Sequence, residues 1–124
     1  ISRHQVITAL SIVSIRIDES LSFLNANTLK EFIIAEISQN TQLKHVIVNC
    51  ASISSIDLSA LETLEEINQE LNKLGIQLHL SEVKGPVMDR LNRSKLTHDL
   101  SGKIFLTHYQ AMQTLQQTEA QIYI

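Results

Sequence analysis

The chain contains little cysteine, proline, glycine or aromatic residue, and each shortage excludes a class of protein or site. Its 124 residues include one cysteine, one proline, three glycines and no tryptophan. The lone Cys50 excludes an internal disulfide framework and is typical of a reducing compartment. Three isolated glycines cannot build a Gly-rich phosphate-binding loop. Because aromatic residues make up only 4% of the chain, we expect a core built mainly of isoleucine and leucine.

The charge balance and the apolar runs exclude further classes. The formal net charge is -3, whereas a nucleic-acid binder usually presents a basic face, so we expect no nucleic-acid partner. No run approaches the roughly 18 consecutive apolar residues of a membrane-spanning helix, and no signal-peptide pattern is present. With 44% hydrophobic and 19% charged residues, the chain is expected to form one globular domain. Since it begins with Ile1 rather than methionine, we expect it to be part of a longer protein.

Segments with strand and helix periodicity alternate along the sequence. Predicted strands occupy residues 5–17, 45–50, 76–80 and 103–106, with a further short extended piece at Leu21 and Phe23. Predicted helices occupy residues 26–39 after an Asn25 N-cap, 59–74, 86–92, and 108–117 after a Thr107 cap. This order predicts an α/β fold in which helices pack on a mostly parallel or mixed sheet.

The helix at 59–74 is strongly amphipathic. Its predicted buried side consists of Leu61, Leu64, Ile67, Leu71 and Leu74. Its opposite side carries Glu62, Glu66 and Glu70 as a solvated acidic ridge, and Gly75 stands where a helix-ending glycine belongs.

Asp57 and Ser59 stand where a buried strand runs into this helix. Open α/β sheets usually bind their ligands at the edge formed by the carboxyl ends of their strands. In the functional interpretation, Ser59 and Asp57 form a phosphoacceptor or anion-contact site, with negative charge on Ser59 stabilised by the helix N-terminus. In the structural interpretation, Ser59 is an N-cap that forms a capping box with Glu62, or Asp57 is the cap instead. The two interpretations are compatible, since a cap lies at the surface.

A basic cluster follows around the helix at 86–92. Its members are Lys84, Arg90, Arg93 and Lys95. They could dock an acidic partner, an anionic lipid surface or a phosphate group, or simply form a solvated helix face. With Glu62 and Glu66, residues Lys84, Arg90 and Arg93 make up the predicted interaction surface.

Other reactive residue types form no recognisable set. The histidines are His4, His45, His79, His98 and His108. None is spaced to share a metal ion with another, so we expect surface or strand-edge histidines, no metal and no cofactor. Cys50 is expected to be a small core residue. An enzyme is not expected, because no set of nucleophile, base and orienting group is visible.

Three segments of the chain resemble the STAS domain, a module shared by sulfate transporters and anti-sigma-factor antagonists. They are IVSIRIDESLSFLNANTLKEFI, VIVNCASISSIDLSALETLEEINQELNKLGIQLHLSEVKGPVMDRLNRSKL and KIFLTHYQAM. The piece LSFLNA is similar to the leucine–aromatic–asparagine signature of SulP-type sulfate permeases. The piece GIQLHLSEVKGPVMDRL is similar to their strand, Gly-Pro turn and basic helix. The resemblance implies a small mixed, mostly parallel sheet with an antiparallel first strand and about four helices mainly on one face.

The resemblance also implies a function without catalysis. The whole chain would be a C-terminal regulatory domain of a sulfate or related anion permease, at the cytoplasmic face of a bacterial inner membrane. Implied partners are the transmembrane domain of the same transporter, a second protomer or a soluble regulatory protein.

Two alternatives come from the same family. The antagonist branch carries Asp-Ser-Ser/Thr-Gly and is phosphorylated on the third residue; here Asp57 and Ser59 match, whereas Leu58 and Ala60 do not. One alternative is therefore a free-standing phospho-switch with Ser59 as phosphoacceptor. The other is a domain that senses a nucleotide or anion.

Overall fold

Strands and helices alternate along the chain and build one sheet with helices on both faces. The computed structural model describes residues 4–8, 11–18 and 23–122, with the side chains of residues 11–18 and 25–115. The strands are β1 (His4–Thr8), β2 (Ile12–Ile17), β3 (His45–Asn49), β4 (Gln77–Ser81) and β5 (Ile104–Phe105). The helices are α1 (Phe23–Gln39), α2 (Leu58–Lys73), α3 (Gly85–Asn92), α4 (Leu96–Asp99) and α5 (His108–Ile122).

The spatial order of the strands equals their order in the sequence, β1-β2-β3-β4-β5. Strand β1 pairs antiparallel with β2, and β2, β3, β4 and β5 pair in parallel. Crossovers between parallel strands are right-handed, so successive crossovers in one direction carry their helices to the same face. The predicted fold class, an α/β fold with a mixed, mostly parallel sheet, is confirmed.

The main core lies between the sheet and helices α1 to α4. The strands contribute Val13, Ile15, Ile17, Val46, Val48, Leu78 and Leu80. The helices contribute Ala26, Leu29, Ile33, Leu61, Leu64, Ile67, Leu71, Val87, Leu91 and Leu96. The large core confirms the expectation that isoleucine and leucine dominate, and it leaves the reverse face of the sheet for α5.

That reverse face is smaller and mixed in character. Ile12, Ile47 and Phe105 pack there against Ala111 and Leu115 of α5. Because strand side chains alternate between faces, the polar neighbours of the main-core residues point to this side. They include Ser14, His45, His79 and Ser81.

Three predictions at the start of the chain were wrong. The predicted strand at 5–17 is two antiparallel strands, β1 and β2. The segment between them lacks the Gly, Pro, Asn or Asp that usually marks a turn. Phe23 begins α1 and is not extended, while Leu21 lies outside the described residues. Asn25 lies inside α1 and is not its N-cap, because the helix begins before it.

Helix ends account for the remaining differences. Leu74, predicted to be buried, is 59% exposed, because α2 ends at Lys73 and the chain turns through Gly75 at φ 75°. The positive φ confirms the predicted role of Gly75. The short α4 was not predicted, and α5 continues to Ile122 rather than ending near residue 117.

Candidate functional site

Asp57, rather than Ser59, caps helix α2. Asp57 is extended, with φ -89° and ψ 169°, and its Oδ1 accepts a hydrogen bond of 2.8 Å from the backbone N–H of Ala60. The alternative cap is thus confirmed, and the capping box between Ser59 and Glu62 was wrong. The helix begins one residue earlier than predicted, so Ser59 already has a place in its first turn.

Ser59 is exposed at this first turn. The loop before it is pinned to the core by Ile53 and Ile56, which are 1% and 7% exposed. These two anchors leave the polar loop residues at the surface. Leu58, next to Ser59, is 62% exposed, so an apolar side chain stands beside the polar loop.

Helix α3 runs next to this loop and to the start of α2, and two clefts separate them. A cleft of about 400 Å³ is lined by Ser54, Ser55, Ile56, Asp57, Pro86 and Arg90. The second, called here the α2–α3 groove, encloses about 570 Å³ and is lined by Leu58, Leu61, Glu62, Glu65, Arg90, Arg93, Ser94 and Lys95. Arg90 belongs to both, so the two clefts form one continuous surface.

The α2–α3 groove has an acidic wall from α2 and a basic wall from α3 and the segment after it. Among the described side chains, no ion pair joins one wall to the other. Charges held apart in this way remain available to a partner of complementary pattern. The structure thus brings together Glu62, Arg90 and Arg93 of the predicted surface and adds Glu65 and Lys95.

Two residues of the predicted surface lie elsewhere. Glu66 forms an ion pair of 3.4 Å with Lys30 of α1, on the other side of α2. Lys84 is exposed at the N-cap position of α3, outside the lining of both clefts. An i, i+4 pattern fixes the side of a helix but not which neighbouring helix it meets, so the sequence could not separate Glu66 from Glu62.

An apolar groove of about 240 Å³ lies between α1 and α2. Its lining consists of Lys30, Ile33, Ile34, Ile37, Ser38, Ile67, Glu70, Leu71 and Leu74. The exposed Ile34 and Leu74 border it. The sequence did not predict this groove, because Leu74 was assigned to the core.

Cys50 is a buried thiol without the surroundings of a nucleophile. Burial raises its pKa to about 12, although a hydrogen bond with the backbone of Ser81 acts in the opposite direction. A thiol of that pKa stays protonated and unreactive at neutral pH. The prediction of a small core residue is confirmed. Within the described part of the chain, no group of three or more His, Cys, Asp or Glu residues could hold a metal ion.

The prediction of surface histidines was wrong for His79, which is 1% exposed. His79 Nε2 lies 3.0 Å from His45 Nδ1, so two histidines far apart in sequence meet across β3 and β4. His98 is exposed, and the side chain of His4 lies outside the described residues. One sequence signal could have revealed a buried His79, namely its position between Leu78 and Leu80 in a predicted strand.

His108 joins α5 to the sheet. Its ring nitrogens lie 3.0 Å from the hydroxyl oxygens of Ser14 and Ser81, and its backbone N–H donates to Glu82 Oε2 at 2.8 Å. Burial lowers the pKa of His108, while Glu82 acts to raise it. Glu82 adopts φ 59°, a left-handed conformation that residues with a Cβ seldom adopt. This arrangement fixes the start of α5 at the end of β4.

Comparison of the sequence with known proteins identifies a matching family and several relatives. The STAS domain family model matches residues 4–111. The chain is 31% identical over 117 residues to Sulfate transporter 3.1 of Arabidopsis thaliana, covering 86% of the chain and 18% of the transporter. It is 35% identical over 111 residues to High affinity sulfate transporter 1 of Stylosanthes hamata, covering 81% of the chain and 16% of the transporter.

Solved structures show the same fold. A sulfate transporter family protein from Wolinella succinogenes superposes with a TM-score of 0.77 at 21% identity, over 89% of this chain and 88% of that one. A putative anti-sigma factor antagonist from Thermotoga maritima superposes with a TM-score of 0.75 at 18% identity, over 93% and 94% of the two chains.

The chain spans less than a fifth of the length of these two transporters. Among the residues whose structure is described, no helix is both long enough and apolar enough to cross a membrane.

Proposed function

The chain belongs to the STAS domain family, and on this premise we propose that it is the regulatory and interaction domain of a sulfate or related anion transporter. The domain catalyses no reaction and carries no anion across the membrane. It lies at the cytoplasmic face and biases transport through contacts with the transmembrane domain of its own transporter, a second protomer or a soluble regulatory protein. The similarity to sulfate transporters over most of the chain supports this assignment.

The α2–α3 groove is the observation that carries the proposal. It combines separate acidic and basic walls with the exposed Leu58 at its border. Charged walls select a partner and fix its register, while an apolar side chain adds contact area. Regulation requires that such contacts differ between two states of the transporter, since only differential contacts shift an equilibrium.

Charge reversal in the full-length transporter tests the role of this groove. Arg90→Glu combined with Arg93→Glu changes the basic wall at two exposed positions, where substitution should leave the fold intact. Lys44→Glu, also exposed but outside the groove, is the matched control. We expect sulfate uptake per molecule at the cell surface to change at least about fivefold in the double variant, a typical allosteric coupling, and to stay near wild type in the control.

Deletion of the domain provides the broader test. Removing residues 1–124 from the parent should alter transport, expression or assembly. Normal values of all three after deletion would refute a regulatory role. A deletion phenotype together with a silent Arg90→Glu, Arg93→Glu variant would retain that role and remove the groove as its contact surface.

A phospho-switch at Ser59 is the second candidate, favoured by the position of this residue. Ser59 is exposed in the first turn of α2, where a helix N-terminus stabilises negative charge. Mass spectrometry of the protein from its own cells should then find phosphate on Ser59 under at least one growth condition. Unmodified Ser59 under every condition would exclude this function.

A further inference from the structure

One of the contacts between residues 101–103 and the sheet passes through the ring of His79. The backbone N–H of Lys103 donates a 3.0 Å hydrogen bond to His79 Nδ1, and His79 Nε2 lies 3.0 Å from His45 Nδ1. A backbone N–H can only donate, so His79 Nδ1 must be the acceptor and must carry no proton. A neutral His79 therefore holds its proton on Nε2 and donates it to His45 Nδ1. The proton of a neutral His45 is then on its own Nε2.

Each ring in this chain of hydrogen bonds has room for one proton only. A second proton on His79 would sit on Nδ1 and face the Lys103 N–H. A second proton on His45 would sit on Nδ1 and face the His79 Nε2–H. Either event replaces a hydrogen bond by two opposed donors, one of them on a ring that is 1% exposed, so water cannot readily compensate.

We propose that His45 and His79 form a proton-sensitive latch that fastens residues 101–105, and through them α5, to β4. The latch is closed when both rings are neutral and opens when either gains a proton. Opening would uncover the sheet face that α5 protects, including the buried Ser14 and Ser81. This inference does not depend on the transporter assignment.

The segment held by the latch also makes hydrogen bonds of 3.1 Å to β4 through Ser101, Gly102 and Lys103, and these bonds involve no titrating group. Strand β5 has two residues and pairs Leu80 with Ile104 and Ser81 with Phe105. Although β5 is short, the segment before it lies very close to β4. A Cβ on Gly102 would overlap the carbonyl oxygen of Leu78 and the His79 ring. The Phe105 ring also lies 5.6 Å from the His79 ring. Because the segment packs this closely against His79, loss of the hydrogen bond at His79 should displace the whole segment.

A second clamp on the same segment does not titrate. Buried Asn68 of α2 donates to the carbonyl of Asp99 at 2.7 Å, and its Oδ1 accepts from the backbone N–H of Ser101 at 3.1 Å. Since an amide has no proton equilibrium near neutral pH, Asn68 holds residues 99–101 at any pH. We therefore expect acid to release the β5 side of the segment selectively.

Burial and the charges around the latch favour a neutral His79. Burial first, then a positive charge on His45 when it is protonated and the charge of Lys103, lower the pKa of His79 to about 4. Two other titratable groups among the described side chains lie at the start of α5 and the end of β4, namely His108 and Glu82. The His108 ring is bonded to Ser14 and Ser81, and Glu82 accepts from the His108 backbone N–H, so neither is bonded to the rings of the latch. A folded pKa below the unfolded value of 6.5 means that the stabilisation is complete above 6.5. It is lost as the pH falls from 6.5 towards 4.

Amide hydrogen exchange of the 124-residue chain, corrected for the intrinsic pH dependence of exchange, tests the latch. Between about pH 7 and about pH 5, protection of the β5 and α5 amides should fall about tenfold or more relative to that of β3, as expected for this pKa difference. His79→Gln is the non-titrating counterpart, because its amide oxygen can accept from Lys103 and its NH₂ can donate to His45. It should remove most of the pH dependence at the β5 amides, whereas the exposed control His98→Gln should keep it.

A second measurement needs no variant. Imidazole nitrogen shifts of the wild-type chain should show both rings as the Nε2–H tautomer at neutral pH. An Nδ1–H tautomer on either ring would overturn the proposal, even if His79→Gln does not fold. Equal pH dependence in wild type and a folded His79→Gln would also overturn it.

Discussion

The two faces of the sheet differ in the interactions that stabilise them, although each strand contributes side chains to both faces. In β4, Leu78 and Leu80 point into the apolar core under α1 to α4, whereas His79 and Ser81 point to the side covered by α5. The apolar face is stabilised by burial, which is non-directional and tolerant of small shifts. The α5 face combines a smaller apolar cluster with hydrogen bonds whose donors and acceptors must match.

Because the two faces differ in this way, we expect them to lose stability under different conditions. Apolar burial has no proton equilibrium and should respond to cavities but little to mild acid. The α5 face includes the His45–His79 and Ser14–His108–Ser81 contacts, all at 3.0 Å. It should respond to the removal of single polar atoms and to acid, and substitutions on each face can separate the two behaviours.

The largest effect is expected on the apolar face. Leu78→Ala removes a side chain with 0% exposure and should lower the free energy of unfolding by about 2–5 kcal/mol through lost burial and the cavity left behind. Urea unfolding at two pH values would measure it, and the loss should be similar at both. Leu106→Ala, at an 82% exposed position, should change stability by less than about 0.5 kcal/mol. A loss that depended strongly on pH would contradict the proposed difference between the faces.

An intermediate effect is expected where the β5 segment approaches β4. Gly102→Ala places a methyl group against the Leu78 carbonyl and the His79 ring, so it should destabilise the chain by about 1–3 kcal/mol. Gly85→Ala meets no atom within 4 Å and serves as the matched control. Thermal unfolding of both variants would test this, and equal melting temperatures would show that the segment can move away without cost.

The smallest effect is expected from one hydroxyl of the α5 face. Ser81→Ala removes the 3.0 Å partner of His108 Nδ1 and should cost about 1 kcal/mol, a typical value for one hydrogen bond. Ser38→Ala, which removes an exposed hydrogen bond to the Ile34 carbonyl, is the control and should have little effect. Chemical unfolding that showed no difference between the two variants would mean that water replaces Ser81 readily.

Most of the fold could be predicted from local patterns. Apolar residues at helical spacing identified the buried side of α2, and the apolar run before Cys50 identified β3 as a strand. These signals depend on neighbours within a few residues. The boundary between β1 and β2 gave no such signal, because the sequence between the two strands contains no Gly, Pro, Asn or Asp.

The contacts of the candidate site and of the α5 face depend on packing between distant segments. Arg90 and Arg93 were identified as a basic cluster, but only helix packing shows that Glu62 and Glu65 oppose them while Glu66 reaches α1. Both Asp57 and Ser59 can cap a helix, so their types alone could not decide which one does. The His45–His79 contact requires the register of β3 against β4, which no sequence spacing reveals.

The strand order also has a consequence for synthesis on the ribosome. Because the spatial order is β1-β2-β3-β4-β5, each new strand can add to the edge left by the one before it as the chain emerges. The apolar side can be covered step by step by the connecting helices. The other side must wait until β5 and α5 have left the exit tunnel. A nascent chain that stops short of α5 would therefore expose Ile12 and Ile47 beside a row of serines and histidines, a smaller apolar surface than the one under α1 to α4.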